Sequence, residues 1–158
     1  MQERCYFMFK PGFTDNETVQ EVRKAVNEVG GQVIVEKKMR LSKKACREHY
    51  AHIVDLVNKE TGERVYPKLE EYMLSGVVIG WLVVGNEGII ERLRKLMGST
   101  KNPERGTLRE RFSGRVPPED RVTKNGFHCS DSIVSAEDEI DRFFNRAEQL
   151  DIEESRIR

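Results

Sequence analysis

Val77-Val78-Ile79-Gly80-Trp81-Leu82-Val83-Val84 is the longest apolar run in the chain, and its reading decides the fold. Broken by Gly80 and far too short to span a bilayer, it reads as the central strand of a sheet. Downstream, Asn86 stands where a helix cap belongs. Ile89, Ile90, Leu93, Leu96 and Met97 then recur at helical spacing until Gly98 ends the pattern. Upstream, Pro67 suits the first turn of a short helix that carries Leu69, Tyr72 and Met73 inward before Ser75-Gly76. Helices therefore flank the central strand on both sides in sequence.

The N-terminal third repeats this alternation. Cys5 to Phe9 is continuously apolar, as in a strand buried on both faces, and it stops at Lys10-Pro11-Gly12. Thr14 and Glu17 have capping-box spacing ahead of Val19, Val22, Val26 and Val29, and Gly30-Gly31 closes that helix. Val33 to Leu41 mixes β-branched residues with alternating charge, which predicts a half-exposed strand. Ser42 caps the next predicted helix, where Cys46, Tyr50, Ile53 and Val57 share a face, with His49 and His52 beside it. The polar stretch 58–64 is an exposed loop. From Ser99 to Thr123 no periodicity emerges, and loops of this length are usually functional. Ile133 to Leu150 forms a final helix with Ala136, Ile140, Phe143 or Phe144 and Ala147 inward. Two β-α-β units with right-handed crossovers account for this order. The expected class is α+β, a ferredoxin-like antiparallel sheet (βαββαβ) covered by helices, with a long loop before the last strand. Residues 1–150 make one domain, and 151–158 a charged tail.

Charge totals exclude little. Lys plus Arg and Asp plus Glu both number 27, so nothing demands nucleic acid or a membrane surface. Their distribution is more telling, since Gly98 to Lys124 holds seven Lys and Arg against four acids, a net of +3 just ahead of His128. That suits a phosphate-bearing ligand. Three cysteines form no C-x-x-C pair, the odd count argues against a disulfide scaffold, and no secretory leader is legible, so the expected home is cytoplasmic. There is no internal repeat, no P-loop and no protein-kinase motif. Any phosphates must then be held by side chains.

Asn125-Gly126-Phe127-His128-Cys129-Ser130-Asp131-Ser132 offers a candidate nucleophile in His128, because neutral imidazole has a nitrogen lone pair. Its other nitrogen needs an acceptor, for which Glu139 is available on the following helix. The octet resembles the Asn-x-x-His-Gly-Ser-Asp-Ser motif of nucleoside diphosphate kinases, with Cys129 in place of Gly. The likeness runs from Glu3 to about Phe144. It includes Lys10-Pro11, Glu48-His49-Tyr50, Tyr72-Met73-x-Ser75-Gly76, Arg94, Met97-Gly98, Thr100, Asn102-Pro103 and Gly106-Thr107-Leu108-Arg109.

That resemblance implies an enzyme moving the γ-phosphate of ATP or another nucleoside triphosphate to a nucleoside diphosphate, with Mg2+, through a phosphohistidine. It implies His128 as the residue phosphorylated, Glu139 orienting it and Tyr50 touching the imidazole. Lys10, Arg94, Thr100 and Arg109 would hold the phosphates, and Asn125 the ribose and phosphate. Val65 or Tyr66, with Leu69 and Val122, would meet the base. It also implies a homo-oligomer. No carboxylate cage for a metal is visible, so the metal's ligands are expected to be phosphate and water. Taken singly, Lys10 and Arg94 read as ordinary exposed charges, and His49 and His52 as structural histidines. Gly12-Phe13 replaces the family's Asp-Gly, about seven residues are inserted between Tyr50 and Tyr72, and a second insertion precedes Asn125. These departures motivate the alternative of a catalytically impaired nucleotide-binding or scaffolding relative. An RNA-binding ferredoxin-like module is a weaker reading, because the strands lack the aromatic RNA-binding pattern.

Overall fold

The computed structural model describes residues 1–149, so the charged tail expected at 151–158 lies outside the described residues. Four strands form one antiparallel sheet in the order β2-β3-β1-β4: β1 (Gln2–Phe9), β2 (Gln32–Met39), β3 (Val78–Asn86) and β4 (Phe127–Cys129). From Val78 onward the central apolar run lies in β3, and all but the last two residues of that strand are buried. It lies between β2 and β1, pairing Trp81 with Phe7 and Leu82 with Tyr6. The α+β, ferredoxin-like expectation is met.

Because β1 is buried from Cys5 onward, consecutive side chains must find apolar surroundings on both faces of the sheet. On one face Phe7, Phe9, Trp81 and Phe127 pack ring against ring, with centroids 4.6–6.0 Å apart. On the other, Tyr6 stacks on Phe143 of α6 (Ile133–Phe143) at 4.7 Å. The amphipathic α1 (Asn16–Glu28) turns Val19, Val22, Ala25 and Val26 inward, and α4 (Ile89–Met97) packs on β1 and β4. Burial of this apolar surface, at roughly 25 cal/mol per Å², is the main force holding the layers together.

Several boundaries differ from the sequence expectations, each for a local reason. The cap of α1 is Asp15, whose carboxylate accepts from Thr18 N at 3.1 Å, so the Thr14–Glu17 box is not used. The hydroxyl of Thr18 and, next, its amide hold the Asp15 carboxyl down at about 2. Asn86 ends β3 instead of capping α4. That helix starts after Gly88, and the free amides of Gly88 and Ile90 donate to Glu3 of β1 at 2.9 and 3.4 Å. Ser42 caps α2 (Lys43–His49) as expected, but the helix stops at His49 and Ala51–Ile53 is a 3-10 turn. Pro67 lies in the first turn of α3 (Tyr66–Leu74), as expected. Within the long loop, α5 (Leu108–Phe112) is a short helix with no side-chain cap, and α6 ends at Phe143.

Candidate active site

His128 sits in the middle of β4, opposite Met8 of β1. The twofold alternation of a strand turns Phe127 and Cys129 to one face and the imidazole to the other, beside Tyr6 at 6.1 Å. Its Nε2 lies 2.6 Å from Oε2 of Glu139, about two turns into α6. The Ser130 hydroxyl donates to Oε1 of the same carboxylate at 2.6 Å and accepts from Tyr6 N at 3.0 Å. Ser132 fixes the start of α6 through a reciprocal capping pair with Ser135. With the Glu139 carboxylate accepting a hydrogen bond from Nε2–H, the lone pair of neutral His128 is on Nδ1. The ring is oriented, partly exposed at 23%, and free to attack through one nitrogen.

His49 packs edge-on against His128, with ring centroids 4.4 Å apart. Its Nδ1 is 3.7 Å from Glu139 and 3.5 Å from the Arg142 guanidinium. Burial, then His128 and Arg142, hold the His49 imidazole well below its ordinary range, so it remains neutral. The sequence reading gave His49 a structural role only; the structure instead places its ring against the candidate nucleophile. Its adjacency to Tyr50 in the Glu-His-Tyr segment was the available signal. Tyr50 is buried with an unpaired hydroxyl, and burial together with Cys46, Tyr72 and Glu139 pushes its pKa far up.

The cationic half of the site converges from three segments. Lys10 leaves the end of β1, its amide donating to Gly126 O at 2.9 Å and its ammonium to Asn125 Oδ1 at 2.8 Å. It is only 5% exposed, against the expectation of an ordinary surface charge. Burial, and secondarily Arg109, pull its pKa from 10.5 to about 7. Arg109, at the start of α5, donates to Gly98 O at 3.0 Å, Thr100 Oγ1 at 3.1 Å, Phe127 O at 2.8 Å and Asn125 Oδ1 at 3.4 Å. Gly98 has φ +91, and a Cβ there would come within 2.4 Å of Thr107, so this crossing of α4 and α5 requires glycine. Beside these residues lie cavities of 290 and 710 Å³ that share Thr100 and Arg109. Arg94 lines the larger, and Asn125, Lys124 and Arg121 the smaller. Such a wall can hold a polyanion beside an imidazole.

A family model described as nucleoside diphosphate kinase matches residues 3–149. The chain belongs to the nucleoside diphosphate kinase family. It is 32% identical over 148 residues to the nucleoside diphosphate kinase of Wolbachia sp. subsp. Brugia malayi, covering 92% of this chain and 96% of that one. The Methanococcus maripaludis enzyme of the same name is 30% identical, covering 91% of this chain and 99% of its own. Among solved structures, the nucleoside diphosphate kinase of Encephalitozoon cuniculi superposes with a TM-score of 0.77 at 25% identity, covering 90% of this chain and 88% of that one. This nucleoside diphosphate kinase is thus an enzyme of nucleotide metabolism that uses nucleotides as phosphate donors. Among the described residues no helix is long and apolar enough to cross a membrane.

Six of the predicted site residues fall into two hydrogen-bonded groups, the second completed by Ser130. Lys10, Thr100, Arg109 and Asn125 form one hydrogen-bonded chain that reaches the Phe127 carbonyl, and His128, Glu139 and Ser130 form a second. The residues expected at the base are not in either. Tyr66 and Leu69 are 2% and 5% exposed, and the Arg47 guanidinium lies over the Tyr66 ring at 5.4 Å. Val65 is half-buried and Val122 is 52% exposed. Two features of the Lys10 turn lie outside the sequence reading. Phe13, where the family has glycine, is buried against Phe127, and Arg115 from the inserted segment lies over Phe13 while donating to Asp15 Oδ1 at 3.0 Å and Thr18 Oγ1 at 2.6 Å. Tyr72 donates to Pro11 O. These contacts support the turn where the family's carboxylate is absent.

Ligand atoms of His49, His128 and Glu139 lie within 4.8 Å of one another, a set whose two imidazoles suit a transition metal better than magnesium.

Proposed function

We propose that this kinase works through a phosphohistidine on His128 in two half-reactions. Nδ1 of His128 attacks the γ-phosphorus as the bond from phosphorus to the β,γ-bridging oxygen breaks, and the electron pair leaves with the nucleoside diphosphate. A second diphosphate reverses the step and takes the phosphoryl group. The observation that carries this reading is the 2.6 Å contact between His128 Nε2 and Glu139, which leaves Nδ1 as the nucleophilic nitrogen and stabilises the ring once it carries phosphate. Lys10, Arg94, Thr100 and Arg109 neutralise the phosphates, and Asn125, already bonded to Lys10, contacts ribose and phosphate. Tyr50 packs edge-on against His49 at 4.7 Å, and His49 in turn against the His128 imidazole. The exposed Val122 and half-buried Val65, together with Leu69, are the residues proposed to meet the base, since the burial of Tyr66 disfavours it as a stacking ring.

The donors fit magnesium only in part. Of the carboxylates at the larger cavity, Glu104 already accepts from Ser99, so Mg2+ would be held chiefly by phosphate oxygens and water and would supply charge neutralisation there. Residues 1–150 act as one domain. A homo-oligomer is expected, in keeping with the half-exposed edge strand β2, and a cytoplasmic setting agrees with three free cysteines. The test is incubation with γ-labelled ATP and Mg2+. Acid-labile, base-stable label on the protein, discharged by added diphosphate and missing from His128→Ala, is the expected result. Turnover without such label would sink the mechanism.

A further inference from the structure

Cys5 and Cys129 lie on the neighbouring strands β1 and β4, with their Sγ atoms 3.3 Å apart. Phe7 is paired with Cys129, so Cys5, two residues along β1, is its diagonal neighbour on the same face of the sheet. This is the face away from His128. Both thiols are buried, at 0% and 5% exposure, and phosphoryl transfer uses neither. Two buried cysteines can simply be small core residues. What sets this pair apart is the approach of sulfur to sulfur, which must close by about 1.2 Å to reach the bond length of a disulfide. The third cysteine, Cys46, lies on α2.

We propose that Cys5 and Cys129 are a modification site, a dithiol that a hydroperoxide converts to an intramolecular disulfide, tying β4 to β1 behind His128 and lowering phosphoryl transfer. One sulfur attacks the peroxide, the O–O bond breaks, and a sulfenic acid and water form. The second sulfur displaces water from the sulfenic sulfur as the S–S bond forms. In sum the two thiols lose two electrons and two protons, and hydrogen peroxide becomes two waters. The Cys5 thiol beside it and burial push the Cys129 thiol up, so thiolate is scarce in the closed fold. Reaction therefore waits for local opening of β4, which has three residues and lies at the sheet edge. Cross-linking is slow in buffer and accelerates in urea below the unfolding transition.

Its consequence for activity rests on the proposed role of His128, one residue from Cys129. Closing the sulfurs draws that strand inward, and displacement of a reacting group on this scale lowers kcat by about tenfold or more. The test treats the full chain with hydrogen peroxide, alkylates the remaining thiols with N-ethylmaleimide after denaturation, and maps unreduced peptides by mass. A Cys5–Cys129 peptide about 2 Da lighter than its two thiol halves, Cys46 alkylated, and turnover lost and then restored by dithiothreitol are expected. Cys5→Ala should keep its starting activity and lose both the cross-link and the inhibition. Finding all three thiols alkylated, or sulfinic and sulfonic acids without a cross-link, overturns the proposal. So does a cross-link that leaves turnover unchanged. Because the peptide map needs no catalysis, an inactive starting protein would count against the phosphohistidine reading alone.

Discussion

The two faces of the sheet are built from the same strands and do opposite things. On the side of Phe7, Phe9, Trp81 and Phe127, rings meet at 4.6–6.0 Å, and the interior is nearly all hydrocarbon. On the side of Tyr6, the same burial encloses His49, His128, Ser130 and Glu139. There desolvation has a chemical effect: it keeps His49 neutral and, at the strand end, brings Lys10 to about 7. Burial on one face stabilises the fold, and on the other it tunes protonation. Strand β4 joins them, with Phe127 and Cys129 anchoring one side while His128 faces the other.

Substitutions on the two faces should therefore separate activity from stability. The largest effect is expected of His128→Ala, which should lower exchange on the order of 10⁴-fold or more while leaving the urea midpoint close to that of the parent. A comparable loss of stability would mean that the two faces are not independent. Phe9→Ala should do the reverse, costing about 3–5 kcal/mol in urea unfolding with kcat nearly unchanged where the variant is folded. Glu139→Gln comes next. It keeps the side chain's size but weakens the hold on Nε2, so kcat should fall about 10²-fold with little change in KM, and steady-state kinetics would show whether orientation matters that much.

The smallest effect is a pH dependence. Lys10 is an ammonium below about 7 and loses its proton above that, so KM for nucleotide should rise as pH climbs past 7. Its folded pKa lies below its unfolded one near 10.5. The unfolded chain thus holds the extra proton between those values, and stability contributed through Lys10 increases with pH across that window. Lys10→Met should flatten both the KM and the melting profiles. A KM that is level across pH 7 in the parent would show that Lys10 is protonated throughout.

Much of this arrangement was legible in the chain, because its signals are local. Apolar runs predicted β1 and β3, the octet was expected to lead from a strand into the final helix, and Glu139 stands on that helix within reach of His128. What was missed depends on partners remote in sequence. His49 looked like any helix-face histidine until β4 and α6 brought His128, Glu139 and Arg142 against it. Asn86 looked like a cap, yet Glu3 from another strand satisfies the amides of α4. Gly12-Phe13 read as a damaged turn, whereas Phe13 fills space against Phe127 and Arg115 reaches over it from the inserted segment.

By itself, the amino-acid sequence determined the class of fold, the order of its elements, and the motif whose residues are proposed to carry phosphoryl transfer. Period, capping and apolar runs act over a few residues, and hydrophobic burial makes their consequences nearly unique. Only the tertiary structure decided which nitrogen of His128 engages Glu139, that Lys10 is buried enough to titrate near neutrality, and that two thiols meet behind His128. Those properties depend on distance and desolvation between groups far apart in the chain, quantities that no local pattern encodes.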